Sequence, residues 1–143
     1  MKKIAVILIL SLVLTSCAST FQYVKMPDTN NQEMATIYVL RPSSYGSAVK
    51  FRVYEGDSLI GRLGPKSYLA WNIKPEGKEV TIVSRSENKD TFIINPKAGK
   101  TYYIKQRVKM GFAFARTGLE QLDQAEGKKI LRRLKKPKLN YAE

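Results

Sequence analysis

The chain has 143 residues and a formal net charge of +13, because 25 lysines and arginines face only 12 aspartates and glutamates. It contains no histidine and a single cysteine, Cys17. These counts exclude Ser-His-Asp and Cys-His nucleophilic sites, as well as histidine-based zinc sites. We therefore expect a protein that is not an enzyme and that has no catalytic residues, no metal site and no cofactor.

The amino terminus has the pattern of an export signal. Lys2 and Lys3 are followed by an almost wholly apolar run from Ile4 to Leu14. As a helix, this run spans about 16 Å, which is roughly half of the ~30 Å hydrocarbon core of a bilayer. We therefore predict a cleaved signal peptide over residues 1–16 rather than a transmembrane helix.

The segment Leu14-Thr15-Ser16-Cys17 resembles the lipobox of bacterial lipoproteins. This resemblance implies a diacylglycerol on Cys17, cleavage before that residue and acylation of its new amino group. In a host with two membranes, Ala18 in place of an aspartate resembles lipoproteins that are sent to the outer membrane. We expect a lipid-anchored protein of the cell envelope, in the outer membrane facing the periplasm. An ordinary secretory signal with a cysteine there by chance is the alternative.

The rest of the chain is predicted to be a polar tether followed by a β domain. Residues 17–34 form the lipidated N-terminus and a flexible tether in this interpretation. From Ala35, alternating apolar and polar residues and regular turns predict an antiparallel β-sandwich of seven or eight strands. Seven strands are predicted at Ala35–Arg41, Ala48–Tyr54, Leu59–Leu63, Ser67–Ile73, Glu79–Arg85, Asp90–Asn95 and Thr101–Lys109.

The last of these strands carries a row of like charges. By the two-residue period of a strand, Lys105, Arg107 and Lys109 share one face at intervals of roughly 6.6 Å. One interpretation is a docking surface for anionic lipid headgroups, lipopolysaccharide phosphate or an acidic partner. The other is a solvated strand face that lysine keeps soluble.

An apolar segment, Met110 to Gly118, follows directly. If it is a loop, it exposes Phe112 and Phe114 and forms an interaction site. If it is an eighth strand, both phenylalanines belong to the core. Of the two, we expect the strand.

A short helix is predicted at the end of the domain. Asp123-Gln124-Ala125-Glu126 resembles a capping box, and the helix is expected from Gln124 to Lys136, where Pro137 stops it. Gly127 weakens this prediction, since glycine inside a helix costs about 1 kcal/mol relative to alanine. The domain would thus cover residues 35–136 and leave a tail at residues 137–143.

The predicted helix is strongly basic and is a second candidate surface for anionic groups. Its apolar residues Ile130, Leu131 and Leu134 share one face, and its basic residues surround the rest. Those proposed for binding are Lys128, Lys129, Arg132 and Arg133. Because the chain is expected to be exported, we expect no nucleic acid partner.

Several runs of the domain are similar to the domain of unknown function 2846 family, bacterial envelope proteins that are often lipoproteins. They are ATIYVLRP (35–42), GRL (61–63), SY (67–68), PEGK (75–78), AGKTYYIKQ (98–106), KMGF (109–112) and AEGKK (125–129). The resemblance covers roughly residues 35–131. It implies a small β-rich domain of sandwich type and no activity.

Together, these features predict a non-enzymatic envelope lipoprotein whose domain is an interaction or structural module near the membrane surface. Its expected partners are the membrane, through lipid on Cys17, and either anionic lipid headgroups or an envelope protein. The alternative is a peptidoglycan-binding, glycan-binding or glycan-processing protein. A groove lined by Trp71 or tyrosines beside a carboxylate would favour this alternative, whereas Leu69 and Ile73, on the same face as Trp71, favour its burial.

Overall fold

The computed structural model describes residues 27–134, in which eight strands are followed by one helix. The strands are β1 Ala35–Arg41, β2 Phe51–Glu55, β3 Ser58–Leu63, β4 Ser67–Ile73, β5 Val80–Arg85, β6 Lys89–Ile94, β7 Thr101–Lys109 and β8 Arg116–Leu122. The helix is α1, Gln124–Leu131. The predicted signal, Cys17 with its lipobox and the predicted tail lie outside the described residues. No helix within residues 27–134 is both long and apolar enough to cross a bilayer.

The strands form two four-stranded sheets, ordered β4-β1-β7-β8 in the first sheet and β3-β2-β5-β6 in the second. Neighbouring strands are antiparallel except β1 and β7, which run in parallel. The predicted fold class, a mainly β sandwich with a short C-terminal helix, is confirmed. Strands β1, β4 and β7 have the predicted bounds, whereas β2 begins at Phe51 rather than Ala48.

The main core lies between the two sheets. Successive side chains of a strand point to opposite faces, so Ile37 and Val39 of β1 meet Phe51 and Val53 of β2 in this layer. Trp71 is also buried there, with 2% of its surface exposed, as its neighbours predicted. Its indole N–H donates to Glu55 Oε2 at 2.6 Å, which satisfies the polar group of an otherwise apolar side chain.

A second apolar cluster lies between the outer face of the first sheet and α1. Tyr38, Tyr68 and Tyr103 form its base, and Ile130 and Leu131 of the helix pack against it. The rings of Tyr38 and Tyr103 are stacked with centroids 5.3 Å apart. The helix therefore covers sheet surface that would otherwise expose three aromatic rings.

Local contacts explain where α1 begins and why it tolerates a glycine. The Asp123 side chain accepts the N–H of Glu126 at 2.8 Å, as the predicted cap requires. Gly127 lies directly on the Tyr103 ring, and a Cβ at this position would be 2.5 Å from the Cβ of Tyr103. A glycine is needed because only a helix without a side chain here can approach the sheet so closely.

The helix is shorter than the prediction, which extended it to Lys136. It ends at Leu131, because the chain then tightens into turns in which Arg133 N–H bonds Ile130 O and Leu134 N–H bonds Leu131 O. Lys136 itself lies outside the described range.

The sandwich has two chemically different ends. Since β1 and β7 run in parallel, Ala35 and Thr101 lie at one end, the tether end, and the loops 42–50, 64–66, 86–88 and 110–115 lie at the opposite, distal end. Residues 27–34, the described part of the predicted tether, bond to the tether end. Asp28 N–H donates to Asn72 Oδ1 at 2.7 Å, and Gly99 N–H donates to Met34 O at 2.9 Å.

Candidate functional site

The predicted basic row of β7 is partly neutralised by an acid from the neighbouring strand. Lys105 Nζ lies 3.3 Å from the Glu120 carboxylate of β8, and Arg107 pairs with the same carboxylate. The hydrogen bond from Arg107 is the main cause that lowers the pKa of Glu120. Lys109 lies further along the same strand face, opposite Arg116 of β8. Two of the three predicted binding residues therefore already have an anionic partner.

The predicted basic residues of the helix are on the solvent side of α1. Lys128, Lys129, Arg132 and Arg133 are all exposed, and the Arg132 side chain also bonds Lys128 O at 3.4 Å. Since α1 packs on the outer face of the first sheet, these charges and the β7 row belong to the same side of the sandwich. Both groups are accessible to solvent on this side.

The segment between β7 and β8, residues 110–115, is an exposed loop, hereafter the aromatic loop. Phe112 is fully exposed at 102% of its reference surface, and Met110 and Phe114 are exposed at 80% and 66%. The prediction that favoured a strand with both phenylalanines in the core is therefore wrong. The alternative, a loop that displays both rings, is confirmed, and β8 begins only at Arg116.

Glu87, in the turn between β5 and β6, holds the aromatic loop in its conformation. Its carboxylate accepts the backbone N–H groups of Phe112 at 2.9 Å, Ala113 at 3.1 Å and Phe114 at 2.8 Å. The bonds from Phe114 and Phe112 are the largest causes that lower the pKa of Glu87. Three N–H groups that converge on one carboxylate cannot join a strand ladder, which is why the alternating sequence does not form a strand here.

The loop is also too tight for any residue but glycine at position 111. A Cβ on Gly111 would overlap the carbonyl oxygen of Phe114 and the carboxylate of Glu87. It would also lie 2.8 Å from Cγ of Arg116. The exposed rings are therefore carried by a backbone with a defined conformation rather than by an extended tail.

A buried arginine fixes the neighbouring loop at the distal end. Arg41, at the end of β1, has no exposed surface, and its guanidinium lies 4.7 Å above the Phe51 ring. Burial lowers its pKa to about 10, so it remains charged at neutral pH. The guanidinium donates to backbone carbonyls of Val49 at 2.6 Å, Leu63 at 3.2 Å, Tyr45 at 3.0 Å and Gly46 at 2.9 Å. The charge thus joins the loop 42–50 of the distal end to β1 and β3.

The loop 42–50 and the aromatic loop meet along an open apolar groove of about 410 Å³. Its walls are formed by Tyr45, Gly46, Ala48 and Val49 on one side and by Met110, Gly111 and residues 113–115 on the other. Tyr45, which is exposed, and Phe114 lie on opposite walls. The distal end therefore has a continuous apolar surface, and hydrogen bonds to Glu87 and Arg41 fix the backbone of the loops that carry it.

Side chains of the β5–β6 hairpin also protect the free edge of β8. Asn88 Oδ1 accepts Thr117 N–H at 2.7 Å, and Asp90 Oδ2 accepts Leu119 N–H at 2.6 Å. Between the sheets, the Thr117 hydroxyl lies 2.7 Å from the Ser84 hydroxyl and accepts a bond from Gln106 at 3.0 Å. These bonds close the sandwich beside the aromatic loop.

A profile of the family described as "Protein of unknown function (DUF2846)" matches residues 31–118. The chain belongs to this family. An uncharacterized protein of Haemophilus influenzae is 29% identical over 134 residues, an alignment that covers 87% of this chain and 77% of that protein. No solved structure gives a significant match.

The DUF2846 match includes the elements that build the distal end. It covers β1 to β7, the turn with Glu87, the aromatic loop and the beginning of β8, and it ends before α1. The family resemblance predicted from the sequence is confirmed over this range. The helix with Lys128, Lys129, Arg132 and Arg133 lies beyond it.

Within this DUF2846 domain, Trp71 is unsuited to stacking on a sugar. Its ring is enclosed between the sheets, and its indole N–H is already bonded to Glu55. Trp71 therefore does not line a groove of the kind that would favour glycan binding.

Proposed function

We propose that this chain is a membrane-anchored lipoprotein of the cell envelope and that its DUF2846 domain is a non-enzymatic interaction module near the membrane surface. In this proposal, lipid on Cys17 holds the chain at the outer membrane, on the periplasmic side in a host with two membranes. The distal end of the domain makes the functional contact.

The aromatic loop is the observation that carries this proposal. Its three large apolar side chains, those of Met110, Phe112 and Phe114, are exposed next to the apolar groove. Exposed apolar surface of this kind is typical of interaction sites. Because Glu87 fixes the loop backbone before contact, little conformational entropy is lost when a partner covers it.

The position of the loop supports the same function. The tether end receives the chain that leads back to Cys17, whereas the aromatic loop lies beyond the last residue of β7. The nine residues of β7 span about 30 Å. An anchor at one end and a contact surface at the other suit a module that holds something close to a membrane.

The anchor is tested by Cys17→Ala in cells grown with a fatty-acid probe. We expect loss of labelling and release of the chain from the membrane fraction, since one short apolar signal cannot hold it. A variant that is still labelled would show that Cys17 is not the lipid site.

The contact surface is tested by chemical cross-linking in intact cells. The loop variant combines Phe112→Ser with Phe114→Ser, and the control combines Leu59→Ser with Ile93→Ser, two exposed apolar residues outside the loop. We expect the cross-linked species of the unaltered chain to persist in the control and to be lost in the loop variant. Equal yields from both variants would contradict a contact through the loop.

A further inference from the structure

The outer face of the second sheet carries a row of four positive charges, one from each strand. Arg62 of β3 is paired with Arg52 of β2, Arg52 with Arg85 of β5, and Arg85 with Lys89 of β6. Since neighbouring strands lie about 4.8 Å apart, this transverse basic row spans roughly 14 Å.

Like charges placed directly opposite each other destabilise a sheet. Within residues 27–134, none of these four side chains forms an ion pair with a carboxylate; the ion pairs of this range join Lys105 and Arg107 to Glu120. The nearest acids along the chain, Glu87 and Asp90, are already bonded to backbone N–H groups. Repulsion between these charges therefore destabilises the free domain, and an anionic ligand would relieve this repulsion.

Arg85 is held in place for such a ligand. Its guanidinium lies 4.8 Å above the ring of Tyr54, which fixes the direction of the side chain. Its Nε is buried and has no hydrogen-bond partner in the part of the chain that the structure describes. Guanidinium groups bind phosphate or carboxylate oxygens through paired N–H donors, so an oriented arginine suits an anionic headgroup that carries such oxygens.

The transverse basic row adjoins the aromatic loop. Glu87, which holds the loop, lies between Arg85 and Lys89 in the same hairpin. The loop is also bordered by Lys109 and Arg116, which are paired across β7 and β8. Apolar side chains at the tip and cations around them form the combination that inserts into the headgroup region of an anionic membrane.

We propose that the transverse basic row and the aromatic loop form one binding surface for the phosphate-bearing headgroups of an anionic lipid bilayer. Phe112 and Phe114 enter the interface, while Arg52, Arg62, Arg85 and Lys89 contact phosphate groups. This inference rests on the proposed function and names the partner of the same distal end. The lipid anchor would confine the domain to the bilayer surface, so that even a weak contact between protein and lipid is made at high effective concentration.

The chain is long enough for this arrangement. The segment from Cys17 to Pro27 would span at most about 35 Å, and the domain measures about 30 Å along β7. The distal end can therefore reach the bilayer that holds Cys17 when the domain lies along its surface.

Vesicle co-sedimentation tests the proposal with the lipid-free chain 18–143, which keeps every described residue. The vesicles contain phosphatidylcholine alone or with phosphatidylglycerol. The row variant is Arg52→Gln, Arg62→Gln and Lys89→Gln, and the matched control, Lys128→Gln, Lys129→Gln and Arg132→Gln, removes the same charge from α1. Thermal melts check that all variants fold, and the row variant is expected to melt no lower than the unaltered chain.

We expect the unaltered chain to prefer the anionic vesicles and the row variant to bind them on the order of 100-fold more weakly, at roughly five-fold for each basic residue. The helix control should lose less than about five-fold. Equal losses in both variants would overturn the proposal, because net charge alone would then explain binding. Inorganic phosphate that displaces the chain from vesicles at low concentration would also overturn it in favour of a small-anion site.

The outcome can be separated from the test of the proposed function. If vesicle binding fails while cross-linking in cells still depends on Phe112 and Phe114, the bilayer is not the partner and the interaction module remains. If both fail, the distal end has neither role.

Discussion

Alanine at position 127 is expected to destabilise the protein although alanine favours helices. Gly127 lies inside α1, and a Cβ there would be 2.5 Å from Cβ and Cδ2 of Tyr103. Carbon atoms in contact normally stay about 3.5–4.0 Å apart. The Tyr103 ring is itself stacked on Tyr38 at 5.3 Å, so it has little room to withdraw.

The expected size of the effect follows from two opposing contributions. The change from glycine to alanine in a helix interior is worth about 1 kcal/mol in favour of the variant. Overpacking of a filled core site costs about 1–3 kcal/mol and sometimes more, and the close approach of Gly127 to Tyr103 places this site at the upper end. We expect a net loss of about 2 kcal/mol in the free energy of unfolding, or roughly 5–10 °C in Tm.

Thermal and urea melts of Gly127→Ala, Tyr103→Ala and the double variant measure the coupling directly. In the Tyr103→Ala background the ring is gone while the Cβ at position 103 remains, so Gly127→Ala should be clearly less destabilising than in the unaltered chain. Lys128→Ala, at an exposed position of the same helix, should change stability by less than about 0.5 kcal/mol. An increase in Tm for Gly127→Ala in the unaltered chain would refute the packing argument.

Three further predictions concern the distal end. Arg41→Met should lower the free energy of unfolding by at least about 3 kcal/mol in a urea melt, because four backbone carbonyls lose their donor and the buried one, that of Leu63, alone costs about 1–3 kcal/mol. The exposed Arg52→Met should have little effect. The pKa of Glu87 lies below its usual 4.5, so its bonds to the aromatic loop are complete above that pH and are lost as pH falls through the lower folded pKa. The amide shifts of Phe112 should follow this transition and change in the same direction in Glu87→Gln at neutral pH; shifts that stay constant in acid would contradict it. Thr117→Val keeps the side-chain volume but leaves buried polar groups without a partner, so a thermal melt should show a loss of about 1–3 kcal/mol, and an unchanged Tm would argue against the bonds between the sheets.

The sequence predicts the strands well where alternation is the only signal. Ser67–Ile73 and Thr101–Lys109 have the same bounds in prediction and structure, because in each strand most side chains at alternate positions are apolar and face the main core, as Leu69, Trp71 and Ile73 do. The aromatic loop has the same alternation, since Phe112 and Phe114 are separated by Ala113. It differs only because Glu87 binds its N–H groups, a contact over 25 or more residues that periodicity does not reveal.

The charged surfaces were also only partly predictable from the sequence, but for a different reason. The β7 row was visible because its residues are close in sequence, but the strand that brings Glu120 to Lys105 and Arg107 was not predicted at its observed position. The transverse basic row draws one residue from each of four strands. Its charges become a row only through the register of strand pairing, which the hydrophobic pattern of each strand does not specify.

A contact made by the distal end is the central claim, and a photo-activatable residue at position 112 tests it most directly. The cross-linking residue replaces Phe112 in the full-length chain with Cys17 intact, and a matched chain carries it at Leu59, an exposed apolar position in the strand that follows the Glu55–Ser58 turn. After illumination of intact cells, we expect adducts with phospholipid or with an envelope protein at position 112, in clear excess over those at position 59. Equal, low labelling at both positions would contradict the claim that the aromatic loop is the contact surface of this protein.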